Sequence, residues 1–132
     1  MPEERFEALP PLHGIHVLLV TTNDDTGQLL AVVMEYAGAR VTIATSAPAA
    51  LAALEGTDPD ILINDDGGAD WLIQRVRSHP QGSEVPAIAV GPRSRPEDRR
   101  AALDAGFQAY LSKPVDAREL CRIVSTLARR RP

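Results

Sequence analysis

The chain has 132 residues, of which 44% are hydrophobic and 24% are charged, and its formal net charge at pH 7 is −4. This length indicates one domain that can bury its own core. The acidic balance argues against a nucleic-acid-binding protein, and no apolar run approaches the length needed to span a membrane. The single cysteine, Cys121, excludes an internal disulfide bond and fits the reducing cytoplasm, so we assign it no chemistry.

Apolar runs bounded by turn residues predict strands, and apolar residues at helical spacing predict the helices between them. In chain order, the predicted elements are a strand at Ile15–Val20, a helix from Asp25 or Thr26 to Ala37, a strand at Arg40–Ala44, a helix at Ala47–Glu55, a strand through Ile61–Ile63, a helix at Ala69–Ser78, a strand at Val85–Val90, a helix from Pro96 to Ala105, a strand at Phe107–Leu111 and a helix from Asp116 to Leu127.

Capping residues support these boundaries. Ser46 and Asp116 stand where a side-chain oxygen caps a helix, and Gly38 and Gly106 stand where a helix ends in a left-handed residue. Strands and helices therefore alternate five times with short connections. This pattern predicts an α/β domain with an open, mostly parallel sheet that carries helices on both faces.

The domain boundaries follow from the same pattern. Residues 1–14 form a proline-containing lead-in or linker, residues 15–128 form the domain, and residues 129–132 form a short basic tail.

Two neighbouring carboxylates mark a candidate site. Asp65 and Asp66 follow the apolar run of the third strand, and ligands of parallel sheets bind beyond the carboxyl ends of the strands. We expect a carboxylate there to be solvated and able to bind a cation or accept a phosphoryl group. The alternative is that Asp-Asp-Gly-Gly is only a polar turn. Lys113 is also conspicuous, because it is the only lysine among 14 basic residues.

Five segments together resemble a response-regulator receiver domain over about residues 15–127. They are Val-Leu-Leu-Val before a polar loop, Pro-Asp-Ile-Leu-Ile-Asn-Asp, Arg-Pro-Glu-Asp-Arg, Ala-Leu-Asp-Ala-Gly-Phe-Gln-Ala-Tyr-Leu and Ser-Lys-Pro-Val. The resemblance implies the flavodoxin-like (βα)5 fold with strand order 2-1-3-4-5. It also implies that the chain is not an enzyme but a module of two-component signalling.

The resemblance assigns roles to particular residues. Asp65 matches the phosphoacceptor, Lys113 matches the lysine that pairs with the phosphoryl oxygens, and a cis bond before Pro114 is expected. Tyr110 matches the aromatic residue of the switch.

Three departures from the family pattern affect function. The acidic pair that helps to hold Mg²⁺ falls on Thr21 and Thr22, and the hydroxyl of the switch falls on Gly91. The loop after Asp65 is also shorter than the family's. We therefore expect weak or absent Mg²⁺ binding, at most at Asp65 and Asp66, and we expect no cofactor. A direct ion pair between Lys113 and Asp65 is the simple expectation, with a solvated lysine as the alternative.

The leading hypothesis is a degenerate receiver that acts as a non-catalytic interaction module. Its expected partners are histidine-kinase domains or another receiver, and its expected surface lies on helix four, strand five and helix five, with Arg95, Arg99, Tyr110 and Arg118 as candidate contacts. The same face is expected to form any homodimer. The lead-in resembles the segment before receivers of hybrid histidine kinases, whose parent protein can be membrane-anchored.

Two alternatives stay open. The first is a working phosphoacceptor whose metal site is rebuilt from Asp24, Asp25 or Asp66. The second is a sensor that binds a cyclic dinucleotide through arginines on the same face, although Asp116 opposes an anionic ligand there. We expect no contact with nucleic acid or with a membrane.

Overall fold

The computed structural model describes residues 9–22, 24–65, 69–92 and 95–129. The strands are β1 (His16–Thr21), β2 (Arg40–Ala44), β3 (Ile61–Asp65), β4 (Ala87–Gly91) and β5 (Ala109–Ser112). The helices are α1 (Asp24–Tyr36), α2 (Ala47–Thr57), α3 (Ala69–Ser78), α4 (Pro96–Ala105) and α5 (Ala117–Leu127). The order of elements agrees with the prediction from sequence.

The five strands form one parallel sheet in the order β2-β1-β3-β4-β5. One apolar cluster joins α1 and α5 to one face of the sheet, and a second cluster joins α2, α3 and α4 to the other face. Successive residues of a strand point to opposite faces, so the apolar runs of β1 and β3 supply both clusters. The predicted flavodoxin-like fold is confirmed.

The predicted caps are also present. Ser46 Oγ accepts a hydrogen bond from Ala49 N at 3.2 Å, and Asp116 Oδ1 accepts one from Glu119 N at 2.9 Å. Gly38 and Gly106 take φ values of 110° and 124°, which residues with a side chain rarely adopt.

Several strand boundaries differ from the prediction, and two strands begin two residues later than predicted. β4 begins at Ala87 instead of Val85, and β5 spans Ala109–Ser112 instead of starting at Phe107. Val85 and Phe107 are both buried, but they pack into the core before strand pairing begins. An apolar run therefore indicates which residues are buried. In β4 and β5 the buried segment begins before the part that is paired with neighbouring strands.

The residue that follows the end of α5 is hydrogen-bonded to the segment before β3, at the end of the sheet opposite to Asp65. Arg129 N donates to Asp60 O at 3.0 Å, and its guanidinium Nη2 donates to Pro59 O at 2.7 Å. Arg129 thus packs with the domain, although it was predicted to begin the tail. In the part of the chain that the structure describes, no helix is long and apolar enough to cross a membrane.

Candidate functional site

The carboxyl ends of four strands bring the candidate residues together. Thr21 and Asp65 are the last residues of β1 and β3 and are register partners. Lys113 follows β5 directly, and Gly91 ends β4 between them. Because the carboxyl ends of parallel strands lie at the same end of the sheet, residues far apart in sequence meet there.

Asp65 is buried, with 2% of its surface exposed. The prediction of a solvated carboxylate was therefore wrong. The reason is the position of β3, which is the middle strand and has neighbours on both sides. A buried carboxylate needs partners, since burial of an unpaired charge is costly.

Both carboxylate oxygens of Asp65 have protein partners. Lys113 Nζ lies 2.8 Å from Oδ1 and forms an ion pair, although its angle does not meet that of a directed hydrogen bond. Thr21 Oγ1 donates a hydrogen bond to Oδ2 at 3.3 Å. The expected direct contact between Lys113 and Asp65 is thus present, and the peptide bond from Lys113 to Pro114 is cis as expected.

The lysine side chain is 35% exposed, whereas the aspartate side chain is 1% exposed. The ammonium therefore reaches from solvent into the site and neutralises the buried charge.

A glycine that the sequence pattern did not single out makes room for Thr21. A Cβ atom at Gly27 of α1 would overlap the Thr21 methyl group, so the glycine gives the threonine room at the site. Glycine inside a helix lowers helix stability by about 1 kcal/mol relative to alanine. A glycine at such a position therefore indicates that close packing requires it. Thr22, by contrast, is exposed at the end of the strand.

Tyr110 covers the end of β4. A Cβ atom at Gly91 would overlap the Tyr110 hydroxyl and would lie 2.9 Å from two of its ring carbons. The aromatic side chain thus occupies the space that a side chain at position 91 would need. Tyr110 is 8% exposed, so its ring offers little surface to a partner, and the prediction that it contributes an exposed contact needs correction.

The other three residues of the predicted interaction face, Arg95, Arg99 and Arg118, are exposed. Between α4, β5 and α5 lies a shallow groove of about 150 Å³, whose lining includes Arg99, Asp116 and Glu119. The groove has both signs of charge and little volume.

Among the described residues, Asp65 belongs to no group of side chains that could hold a metal ion. Within the described ranges, no three His, Cys, Asp or Glu side chains are grouped so that they could hold a metal ion. Asp66 and the side chain of Asp24 lie outside the described residues, and Asp25 is exposed on α1. Cys121 is buried in α5, and burial raises the pKa of its thiol to about 11, so the thiol stays protonated at neutral pH.

The fold and site define a class of protein. A 2-1-3-4-5 parallel sheet with an aspartate at the end of its middle strand and a lysine after its edge strand is the arrangement of a receiver-type signalling domain. The sequence model described as "Response regulator receiver domain" matches residues 17–125. The chain belongs to this family.

Three known proteins illustrate the relationship. The chain is 45% identical over 117 residues to an uncharacterized 14.6 kDa protein of Leptolyngbya boryana, covering 86% of this chain and 89% of that protein. It is 37% identical over 106 residues to the KDP operon transcriptional regulatory protein KdpE of Escherichia coli, covering 80% of this chain and 47% of KdpE. A putative response regulator from Chloroflexus aurantiacus has a similar solved structure, with 31% identity, a TM-score of 0.79 and coverage of 87% of this chain and 98% of that one.

These relatives support a functional assignment at the level of the family. The chain is a receiver domain of two-component signalling, a non-enzymatic type of module that interacts with histidine kinases and phosphotransfer partners. It spans about half the length of KdpE.

Proposed function

We propose that this receiver is degenerate and that it regulates a histidine kinase or a neighbouring receiver by direct contact, with impaired Mg²⁺-dependent phosphorylation. The observation that carries the proposal is the Thr21–Asp65–Lys113 arrangement. The carboxylate that would accept a phosphoryl group is buried, and a lysine and a threonine hydroxyl already contact its two oxygens.

The loss of the acidic pair supports weak metal binding. Mg²⁺ takes oxygen ligands in an octahedral shell and favours carboxylates. Each carboxylate replaced by a hydroxyl at Thr21 or Thr22 removes an attraction of roughly 4 kcal/mol at a distance near 4 Å and an effective dielectric constant near 20. Desolvation offsets much of this loss, but the affinity is still expected to fall by orders of magnitude. The described residues therefore do not suit a tight Mg²⁺ site.

The end of β4 supports the same conclusion. A phosphoryl group on Asp65 would find no hydroxyl at Gly91 to attract. The Tyr110 ring already fills the space beside this glycine. Modification of Asp65 thus has no evident way to reposition the ring, and the face formed by α4, β5 and α5 is expected to keep one shape.

We place the working surface of the proposed function on this face, where Arg95, Arg99 and Arg118 are exposed. A homodimer through the same face and an origin in a hybrid histidine kinase are parts of the proposal. The segment that suggests a hybrid kinase is residues 6–14. Residues 6–8 lie outside the described residues, whereas residues 9–14 are described and Leu12 is buried in the core. We expect the domain to work in the cytoplasm.

A competing function has one observation in its favour. Asp65 and Lys113 remain in contact at 2.8 Å, as a phosphorylatable receiver requires. A cyclic dinucleotide sensor has no such support, because the groove of about 150 Å³ is small and contains Asp116 and Glu119.

A Mg²⁺ titration with and without beryllofluoride, followed by amide NMR shifts, separates the two functions. The control is the double variant Thr21→Asp/Thr22→Asp, which restores both acidic positions. We expect the natural chain to show no saturating shifts at Asp65, Gly91 and Lys113 at millimolar Mg²⁺, whereas the variant saturates there. Saturation in the natural chain, with further shifts on adding beryllofluoride, would establish a working phosphoacceptor and overturn the proposal.

A further inference from the structure

A cavity lies where β1 and β2 begin, at the end of the sheet opposite to Asp65. Its volume is about 400 Å³, and its walls are residues 14–16 and residues 38–40. Cavities that bind small molecules have volumes of about 300–1,000 Å³. Neither the Asp65 site nor the face formed by α4, β5 and α5 includes any of these residues.

Two turns that contain glycine form the walls of the cavity. Gly14 and Gly38 take φ values of 80° and 110°, and because neither residue has a Cβ atom, a ligand can approach their backbone closely. Arg40 N donates to Ile15 O at 2.9 Å and so joins the two turns, and Ile15 N donates to Leu12 O at 3.1 Å. Hydrogen bonds within the chain thus hold both walls in place.

The charge at the cavity is positive. Arg40 is exposed and is the only lining residue, apart from His16, that has an ionisable side chain. Burial lowers the pKa of His16, so its ring is neutral at pH 7. The imidazole ring of His13 lies beside Gly38, since a Cβ atom at this glycine would overlap it. The lining therefore carries one positive charge in a chain whose net charge is −4.

Two carboxylates near the cavity do not line it. Asp60 is buried, and its Oδ2 accepts a hydrogen bond from His16 N at 2.8 Å. Glu35 is exposed on the last turn of α1. Both weaken the attraction for an anion, but neither occupies the space next to Arg40 that the two turns enclose.

The backbone adds hydrogen-bond donors at the same place. Within the part of the chain that the structure describes, the N–H groups of His13 and Gly14 have no hydrogen-bond partner, and Gly14 lines the cavity. A guanidinium group such as that of Arg40 has five N–H donors and no acceptor. Guanidinium groups and successive backbone N–H groups in turns are typical ligands of oxyanions.

We infer that this cavity binds a phosphate group, with Arg40 as its cation and the backbone at Gly14 as a further donor. A phosphate group presents oxygen atoms in several directions, so it can contact Arg40 on one wall and Gly14 on the other. Inorganic phosphate and a small phosphate monoester share this chemistry, and the volume leaves room for the organic part of a monoester. The inference does not rest on the proposed function, because Asp65 lies at the other end of the sheet.

The test is a titration of the complete chain at neutral pH, followed by amide NMR shifts. The probes are inorganic phosphate and ribose 5-phosphate, and sodium chloride and sodium acetate at equal ionic strength are the controls. We expect saturating shifts at Gly14, Gly38 and Arg40 with a dissociation constant of about 10 mM or tighter for at least one of the two probes, and no saturation with either control. Tighter binding of ribose 5-phosphate would assign the cavity to monoesters, and tighter binding of inorganic phosphate would assign it to the free ion.

Variants of the chain test the role of the guanidinium group. Arg40→Gln is expected to weaken the better probe at least about tenfold, and Arg40→Lys is expected to recover only part of the affinity, because lysine keeps the charge but loses the planar donor geometry. Arg122→Gln removes the same charge from an exposed position on α5 and should change the affinity less than about twofold. Arg40 is exposed at the start of an edge strand, so its variants are expected to fold, and urea unfolding checks this.

Four results would overturn the inference. The first is the absence of saturation by either probe below about 100 mM. The second is the same set of shifts with chloride or acetate, since ionic strength or any anion would then explain them. The third is an equal loss of affinity in Arg40→Gln and Arg122→Gln. The fourth is a set of shifts centred on Asp65 and Lys113, which would place the phosphate group at the opposite end of the sheet and would bear on the proposed function instead.

Discussion

Gly91 and Tyr110 show how one missing Cβ atom fixes the position of an aromatic ring. Gly91→Ala places a methyl group where the Tyr110 hydroxyl lies, so we expect a loss of about 1–3 kcal/mol in the free energy of unfolding, measured with urea. The loss should disappear when Tyr110→Ala is already present. Gly56→Ala in α2 is the matched control, because open space surrounds Gly56 and the change should stabilise the helix by about 0.5–1 kcal/mol. Equal stability of natural chain and Gly91→Ala would contradict the overlap.

The Asp65–Lys113 ion pair is expected to stabilise the folded chain. Lys113→Met leaves a buried carboxylate without its cation, and we expect a loss of about 1–3 kcal/mol, less than for a fully buried pair because the lysine is partly exposed. Asp65→Asn should remove most of this cost, so a double-mutant cycle should give a coupling energy of at least about 1 kcal/mol. Additive effects of the two changes would mean that the ion pair does not stabilise the native state.

Arg77 joins three elements through one guanidinium group. Its nitrogen atoms donate to Gly106 O at 2.8 and 3.3 Å, to Gly82 O at 2.9 Å, to Gln108 Oε1 at 3.0 Å and to Val85 O. The end of α3 is thereby tied to the turn after α4 and to the loop before β4. Burial lowers the pKa of Arg77, but its guanidinium stays charged at neutral pH.

Removing this guanidinium should therefore destabilise the packing of α3 against α4. We expect Arg77→Met to cost about 2–4 kcal/mol, since three partly buried backbone carbonyl groups lose their donors, and Arg77→Lys to recover only part of it. Arg75→Met, which alters an exposed arginine on the same helix, is the control and should cost less than about 0.5 kcal/mol. Urea unfolding measures all three variants. Full recovery by lysine would show that charge alone, without the planar donor geometry, is sufficient.

At the scale of the whole molecule, His16 makes stability depend on pH. Burial lowers the pKa of His16 from 6.5, and Arg40 lowers it further, while Asp60 opposes the change. Its Nε2 lies 2.7 Å from Thr42 Oγ1, which joins β1 to β2. The unfolded chain then binds more protons than the native state just below pH 6.5, so stability falls as the pH falls through this window.

The pH dependence can be isolated with one variant. We expect His16→Gln to flatten the loss of unfolding free energy between neutral and mildly acid pH, because no proton is taken up at this position. Urea unfolding at several pH values measures the slope. An unchanged slope in the variant would assign the acid sensitivity to other groups.

The sequence determined much of the fold and part of the site. The apolar runs, caps and glycines gave the elements and the parallel sheet, since these signals are local. The meeting of Asp65 with Lys113 was expected from the resemblance to receiver domains. The burial of Asp65, the hydrogen bond from Thr21 and the inward position of Tyr110 did not, because each depends on packing between segments that are distant along the chain.

The hydrogen bond from Thr21 to Asp65 has an evolutionary consequence. An acidic side chain at position 21 would stand in register with Asp65 and repel it whenever no cation is bound. Threonine replaces this repulsion by a hydrogen bond to Asp65, so the stability of the domain does not depend on a bound metal ion. A lineage that acquired acidic residues here would first pass through a less stable protein, and it would recover that stability only in the presence of Mg²⁺. In the degenerate receiver proposed above, stability thus opposes an acidic replacement of Thr21.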